Sequence, residues 1–308
     1  MIKPTRMLVW FFLAAIFSLS PSISWSQSPG DWVDVVCTVF PIYAVAREIS
    51  TGTKIIPKLL LPAQIGCPHD YSLTPIDMEK ITRARMVFLN GLGYEPFGTR
   101  LFSEISKENL VDCSSGASTL SFGFGDKSPN PHYFTAPKGL CSAAGNISRS
   151  LVDLAPDNSD QIMRNLKRFQ DSMADVELLW ASAAISLSGL PVVVTHGSLD
   201  YAVDALKLRV VKRFEVDTES GGSAMEMLDL IETLRREKPR AILADSAHST
   251  SHLLQLSRET GVKIITLDTM TSGPSNPEVG YVADCLKRII HHLTTNLIGT
   301  DSTTLLRD

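Results

Sequence analysis

Strand-like and helix-like segments alternate along most of this 308-residue chain, and this alternation limits the possible fold more than any other feature. Short runs rich in β-branched residues are each followed by a segment whose apolar residues have helical spacing. Such alternation predicts βαβ units, and therefore parallel sheets covered by helices. The predicted strands are residues 33–40, 55–61, 86–90, 110–113, 191–195, 209–216, 240–244 and 262–267.

A predicted helix of about thirty residues separates the first four strands from the last four. It begins near Asp157, just after Pro156, and ends near Leu187. Because it exceeds the usual helix length, we interpret it as a rigid connection between two lobes. The sequence thus predicts an α/β fold of two lobes, each a four-stranded parallel sheet flanked by helices, joined by one long backbone helix. The predicted divisions are a signal peptide at 1–26, an N-terminal lobe at 27–137, a helical connection at 138–188 and a C-terminal lobe at 189–308.

The N-terminal segment has the three parts of a secretory signal peptide. Lys3 and Arg6 precede an apolar run at residues 7–17, which is shorter than the roughly 20 residues that span a bilayer. Ser24 and Ser26 then fit the −3 and −1 positions of a cleavage site. We expect export to the periplasm with this segment removed; the alternative is an uncleaved anchor. Since no cysteine ends the apolar run, we do not expect a lipoprotein.

Charge and cysteine content exclude several classes of protein. The net charge is −4, from 29 basic and 33 acidic residues, without a run of five like charges. Nucleic acid is therefore not an expected partner, because phosphate binding needs clustered basic residues. The five cysteines are widely spaced and form no C-x-x-C pair, which excludes a zinc finger. Their pairing stays open, and an odd number leaves at least one free or intermolecular thiol. They are Cys37, Cys67, Cys113, Cys141 and Cys285.

Four polar residues follow predicted strands, and ligands of open parallel sheets bind outside the carboxyl ends of strands. These residues are His69, His132, His196 and Asp268, two from each lobe. Three imidazoles and one carboxylate suit a divalent transition metal, and imidazole favours Zn²⁺. A coordination shell filled by protein ligands suits capture of the ion, whereas a hydrolytic zinc site keeps one position open for water. A single histidine after a strand can also be a cap or loop residue, so the hypothesis depends on the combination.

Two of three other features have two interpretations each. His248 and His252 are four residues apart and could share a helix face that binds metal, but we interpret them as a solvated turn at a helix start. Cys67 could add a soft ligand beside His69, but we interpret it as a loop thiol or a disulfide partner. Residues 114–131 are rich in Ser, Gly and Pro, which predicts a long loop.

The sequence resembles the zinc and manganese solute-binding proteins of ABC importers, which have the ZnuA-like or TroA-like fold. The resemblance covers roughly residues 33–297. It is carried by Phe40-Pro-Ile-Tyr43, Pro68-His-Asp-Tyr-Ser-Leu-Thr-Pro75, Asn90-Gly-Leu-Gly-Tyr-Glu-Pro96, Asn130-Pro-His132, Thr195-His196 and Leu267-Asp268.

The resemblance implies a periplasmic receptor that binds one divalent metal between its lobes and delivers it to a membrane permease. It implies His69, His132, His196 and Asp268 as the ligands. His196 stands where manganese-type members carry Glu, so the implied metal is zinc in preference to manganese. We expect a monomer without enzymatic activity. The chain departs from zinc-type members in having no histidine in residues 112–131.

Two other functions are compatible with the same residues. A zinc-dependent hydrolase could use these histidines, with Asp268 or Asp70 as its base, and would need an exchangeable water on the metal. A receptor for a metal chelate would need a wide cleft lined by Arg, Trp or Tyr, and aromatic residues are sparse here at 7%.

Overall fold

The structure, a computed structural model, describes residues 32–65, 71–123, 126–214, 224–248 and 251–299. The predicted signal peptide, His69 and Cys67 lie outside the described residues. Within the described ranges, no helix combines the length and apolar character needed to cross a membrane.

Ten strands and nine α-helices form the described part of the chain. The strands are β1 Val33–Cys37, β2 Ile55–Leu59, β3 Met86–Leu89, β4 Leu110–Asp112, β5 Ser121–Gly123, β6 Asp126–Pro129, β7 Pro191–Val194, β8 Arg209–Arg213, β9 Ala241–Asp245 and β10 Ile264–Leu267. The helices are α1 Phe40–Ile49, α2 Pro75–Arg83, α3 Thr99–Phe102, α4 Pro137–Leu154, α5 Ser159–Leu187, α6 Asp200–Ala205, α7 Ala224–Glu237, α8 Ser251–Thr260 and α9 Tyr281–Ile298.

Two four-stranded parallel sheets confirm the predicted fold class. The strand order is β2-β1-β3-β4 in the N-terminal lobe and β10-β9-β7-β8 in the C-terminal lobe. In each sheet the chain first extends to one side of its starting strand and then crosses to the other side. Each sheet therefore has a topological switch point, between β1 and β3 and between β7 and β9, and a crevice forms at the carboxyl ends of such neighbours.

The long helix α5 supports both lobes, as predicted. Its buried stripe includes Ile162, Phe169, Val176 and Trp180, at helical spacing, and it packs against α4, α9 and α1. Asp157, near which this helix is predicted to begin, does not cap it. Residues Pro156–Asn158 form one turn of 3₁₀-helix instead, and α5 follows it without a side-chain cap.

Alternate residues of the C-terminal strands enter two separate apolar clusters. Val192 and Val194 of β7 belong to the main core, which is continuous with the N-terminal lobe. Val193 points the other way and packs with residues of α7 and α8, including Leu230 and Leu253. Helices therefore cover both faces of this sheet, as the period-two geometry of a strand requires.

Two segments differ from their predicted structure. The predicted loop at 114–131 contains an antiparallel hairpin of β5 and β6, whose Ser, Gly and Pro residues conceal its strand pattern. The predicted helix over about 96–106 is shorter, since only a 3₁₀ turn and α3 form. Ser103 ends it, because its Oγ donates to the carbonyl of Arg100 and so competes with helix continuation.

The lobes also meet where α1 faces the segment that leads into α9, a contact we call the aromatic joint. The Phe40 ring packs edge-on against Tyr281 at 5.7 Å between centroids, and the Tyr43 hydroxyl donates to the carbonyl of Ser275 at 2.8 Å. Gly273 lies so close that a Cβ there would be 2.0 Å from the Phe40 ring. Only glycine allows this approach without displacing the ring.

Four of the cysteines lie in the described part of the chain, and all four are free thiols. Cys37, Cys113 and Cys285 are buried, and Cys141 is half-buried. Buried thiols of this kind pack as small apolar residues.

Candidate metal site

His196 and Asp245 lie together at the switch point of the C-terminal sheet. His196 follows β7, and Asp245 is the last residue of β9, the parallel neighbour in which Leu243 pairs with Val194. Both side chains are buried, His196 at 6% exposure and Asp245 at 1%. The carboxylate oxygen Oδ2 of Asp245 is 3.9 Å from Nδ1 of His196.

Asn130 fixes the orientation of His132. The Asn130 amide nitrogen donates to the Gly197 carbonyl at 2.9 Å and to Asp200 Oδ2 at 3.1 Å, so its Oδ1 must face the other way. Oδ1 accepts from the His132 backbone N–H at 3.0 Å and lies 2.8 Å from His132 Nδ1. Since Oδ1 can only accept, Nδ1 carries the ring proton and Nε2 keeps its lone pair. That lone pair is what a metal ion needs.

A buried ion pair holds Asn130 in turn. Asp200, in the first turn of α6, pairs with the guanidinium of Arg213 at the end of β8. The Tyr201 hydroxyl donates to the Asn130 carbonyl at 2.6 Å and accepts from the backbone N–H of Leu120 at 3.1 Å. We call the polar joint the hydrogen bonds that connect Asn130 with Gly197, Asp200 and Tyr201, together with the ion pair of Asp200 and Arg213. Through it, the C-terminal lobe anchors a histidine that belongs to the N-terminal lobe.

The Asn90–Pro96 motif supports His132 from the N-terminal side. The Asn90 amide donates to the Pro131 carbonyl at 3.0 Å, and the Tyr133 hydroxyl donates to the Asn90 carbonyl at 2.8 Å. Glu95 closes the motif by accepting from the backbone N–H groups of Asn90 and Gly91 and from the Thr38 hydroxyl. Burial raises the pKa of Glu95 to about 7, although these three donors oppose the shift.

Ser198 connects His196 to Asp245. Nδ1 of His196 accepts from the Ser198 backbone N–H at 3.1 Å and lies 2.9 Å from the Ser198 hydroxyl, which donates to Asp245 Oδ2. Thr269 also donates to Oδ2, at 2.8 Å, and the Ala247 N–H donates to Oδ1 at 2.9 Å. These donors hold the Asp245 side chain in place. They hold the His196 ring with its Nδ1 toward Ser198.

Three imidazoles form a row in this region. The ring centroids of His132 and His196 are 5.0 Å apart, and those of His196 and His248 are 4.2 Å apart. Ligand atoms of His196, Asp245 and His248 all lie within 4.8 Å of one another, the separation expected of residues that could hold one metal ion. His248 is half-buried, so its interpretation as part of a solvated turn is wrong; His252 is exposed, as interpreted.

Aromatic side chains surround His132 and exclude water from it. Its ring centroid lies 5.2 Å from that of Tyr94, 5.8 Å from that of Phe134 and 6.3 Å from that of Phe122. Tyr94 and Phe134 are themselves fully buried. In such a setting, electrostatic interactions with a cation are stronger than in water.

Asp268 lies in different surroundings from the three histidines. It is exposed at the end of β10, where its Oδ1 accepts from the backbone N–H of Met270 at 3.0 Å. It lines an open cavity of about 670 Å³ together with Asp284, Arg288 and His292 of α9. Among the described residues, Asp268 is not part of the cluster of potential ligand atoms within 4.8 Å.

The structure thus brings His132 and His196 together, whereas Asp268 is not in the cluster of His196, Asp245 and His248, and His69 lies outside the described residues. Sequence reasoning missed Asp245, and it considered His248 only together with His252 on one helix face. The strand-end argument could have found Asp245, because it ends β9 as His196 follows β7. His248 gives no such signal, since it meets His196 only because β9 is the neighbour of β7.

Comparison with known proteins assigns the chain to a protein family. The sequence profile of the family described as "Zinc-uptake complex component A periplasmic" matches residues 35–295. The iron-binding protein YfeA of Yersinia pestis is 24% identical over 260 residues, which cover 81% of each chain. The manganese ABC transporter substrate-binding lipoprotein scaA of Streptococcus gordonii is 25% identical over 278 residues, which cover 85% of this chain and 88% of that protein.

Solved structures share the fold. A zinc-bound deletion mutant of ZnuA has a TM-score of 0.74 and 22% identity, covering 88% of this chain and 100% of that chain. FpvC of P. aeruginosa in complex with Ni²⁺ has a TM-score of 0.74 and 20% identity, covering 87% of this chain and 97% of that chain. At these identities the likeness concerns the fold alone.

Proposed function

Since this chain belongs to the family of the periplasmic component A of zinc-uptake complexes, metal-binding substrate-binding proteins of ABC importers, we propose that its cargo is zinc. The proposed ligands are His69, His132, His196 and Asp268, two from each lobe. The relatives' names refer to iron and to manganese, so the choice of zinc depends on the donor atoms of this chain. Imidazole nitrogen suits Zn²⁺, whereas Mn²⁺ prefers oxygen donors.

One observation supports this choice above the others. His132 and His196 are both buried, their rings are 5.0 Å apart, and each has its Nδ1 held by a neighbouring polar group. Two imidazoles oriented in this way offer their Nε2 atoms without a further search of side-chain conformations. Such support by neighbouring polar groups is typical of histidines that bind metal.

Delivery and location follow from the same proposal. The receptor would act as an exported monomer and pass its ion to the membrane permease of an ABC importer. A signal peptide at 1–26 and the division at 27–137, 138–188 and 189–308 stay predictions. The lack of a lipid anchor also stays a prediction, and the streptococcal relative is named as a lipoprotein.

Metal analysis of the protein purified without chelators tests the proposal. We expect about one zinc ion per chain, and Zn²⁺ should displace Mn²⁺ in competition. Preferential retention of Mn²⁺, or no stoichiometric binding of any divalent metal, would contradict the choice of zinc. Turnover of an ester or peptide by the zinc-loaded protein would instead favour the hydrolase.

A further inference from the structure

We propose that His248, in the turn after β9, is a further ligand of the metal site and gives it an additional imidazole donor. The inference rests on the proposed function, because it concerns the same ion. It adds a residue outside the four strand-end residues, and it makes the C-terminal lobe the source of two neighbouring imidazoles.

The position of His248 comes from the sheet order. Because β9 lies next to β7, the turns that follow these two strands emerge side by side at the switch point. The His248 backbone N–H donates to the Asp245 carbonyl at 3.1 Å, which folds the turn back toward β7. As a result the His248 ring lies 4.2 Å from the His196 ring, with 33° between their planes.

The nitrogen Nδ1 of His248 is sealed from solvent without a hydrogen-bond partner among the described residues. Buried polar atoms nearly always have a partner, and leaving one without a partner lowers the stability of the fold. A metal ion at this point would supply the missing interaction. Packing alone does not explain the residue, since an apolar side chain would fill the same space without that cost.

The distances permit coordination after a small adjustment. Around a zinc ion with Zn–N bonds of about 2.0–2.1 Å, neighbouring ligand nitrogens lie roughly 3.3 Å apart. The potential ligand atoms of His196, Asp245 and His248 are within 4.8 Å of one another. Closing this gap needs a movement of at most about 1.5 Å, which a rotation of the half-buried His248 side chain can supply.

Asp245 has a positioning role in this arrangement. Its two oxygens already accept from the Ser198 hydroxyl, the Thr269 hydroxyl and the Ala247 N–H. Binding of a metal at Nε2 of His196 would require the ring proton on Nδ1, which would then donate to the Ser198 hydroxyl oxygen instead of accepting from the Ser198 backbone N–H, while that hydroxyl donates to Asp245. The carboxylate thus supports His196, while His248 contacts the ion.

Cobalt spectroscopy on two cysteine variants tests the inference directly. In His248→Cys, a thiolate bound to Co²⁺ would add a sulfur-to-cobalt charge-transfer band in the near ultraviolet. His252→Cys is the matched control, because it places the same thiol on the exposed side of α8. We expect the band in the first variant only. A Co²⁺ complex of His248→Cys without this band would overturn the inference.

The Zn²⁺ affinity of a second pair of variants provides an independent test of the role of His248. His248→Leu should weaken Zn²⁺ binding by more than about 100-fold, the upper end of what loss of an outer-shell partner costs. His252→Leu should bind as the unmodified protein does. Unfolding of the metal-free variants checks that both are folded. If the unmodified protein binds zinc and His248→Leu binds equally well, only the role of His248 is refuted; if the unmodified protein binds no metal, the proposed function itself fails.

Discussion

The two lobes meet at two joints that differ in chemistry. The polar joint is buried and consists of hydrogen bonds from Asn130 to the Gly197 carbonyl and to Asp200. The aromatic joint consists of ring packing between Phe40 and Tyr281 and of contacts too close for any side chain at Gly273. The first joint touches His132 directly, and the second has no described contact with the three imidazoles.

This difference separates metal binding from general stability. At the polar joint, the hydrogen bonds that the Asn130 amide donates to the C-terminal lobe also orient its Oδ1 toward Nδ1 of His132. At the aromatic joint, close packing stabilises the fold without orienting a potential ligand. Changes at the polar joint should therefore alter both stability and metal affinity, whereas changes at the aromatic joint should alter stability alone.

The largest expected effect is at the ion pair of the polar joint. Asp200→Ala leaves Arg213, which is only 26% exposed, without its carboxylate. Because removal of one partner of a buried pair costs about 3–5 kcal/mol, we expect the free energy of unfolding to fall by about 3 kcal/mol, measured by urea denaturation. The matched control is Glu237→Ala, which breaks the exposed pair with Arg209 and should cost less than about 1 kcal/mol. Equal losses for the two variants would contradict the prediction.

The second-largest expected effect is on Zn²⁺ affinity, which should respond to a change at the polar joint but not to a change at the aromatic joint. Asn130→Ala removes the acceptor of the His132 ring proton, so Zn²⁺ affinity should fall about 10–100-fold in a competition titration. Tyr43→Phe removes only the hydrogen bond to the Ser275 carbonyl at the aromatic joint and should leave the affinity unchanged. If both variants lose affinity to the same extent, the distinction between the joints fails.

Crowding at the aromatic joint should lower stability by a smaller amount. In Gly273→Ala the new methyl group overlaps the ring of Phe40, and overpacking of this kind costs about 1–2 kcal/mol in the free energy of unfolding. Gly145→Ala is the control, because it adds a methyl group in α4 where nothing lies within 4 Å. That variant should gain about 0.5–1 kcal/mol. Zinc affinity should be unchanged in both, and a loss of affinity in Gly273→Ala would show that the aromatic joint also orients the ligands.

The smallest expected effect depends on pH and concerns Glu95. Its carboxyl group accepts hydrogen bonds within the Asn90–Pro96 motif, which supports His132. Its pKa in the folded protein is about 7, above the ordinary value of 4.5, so the folded state binds its proton more tightly than the unfolded state. The contribution of Glu95 to the free energy of unfolding is therefore largest at low pH and is lost as pH rises through the folded pKa. Between pH 6 and pH 8 we expect a loss of about 1 kcal/mol, measured by denaturation. Glu95→Gln should lack this component, and an identical pH profile in the variant would refute the assignment.

The alternation of strand and helix patterns was sufficient to predict the two lobes and α5, because each pattern is local. The strand-end argument found His132 and His196 for the same reason. Contacts across the sheet were not predictable: the meeting of His248 with His196 depends on β9 lying beside β7. The hairpin of β5 and β6 was missed because its glycines and prolines also favour loops.

The anchoring of His132 has a consequence for the time that an ion stays bound. His132 belongs to the N-terminal lobe, yet Asn130 ties its segment to α6 of the C-terminal lobe. Separation of the lobes cannot draw His132 away from His196 unless those buried hydrogen bonds break first. The residence time of the cargo should therefore follow local opening of the segment around Asn130, an event with its own free energy, and not a free swing of two jaws.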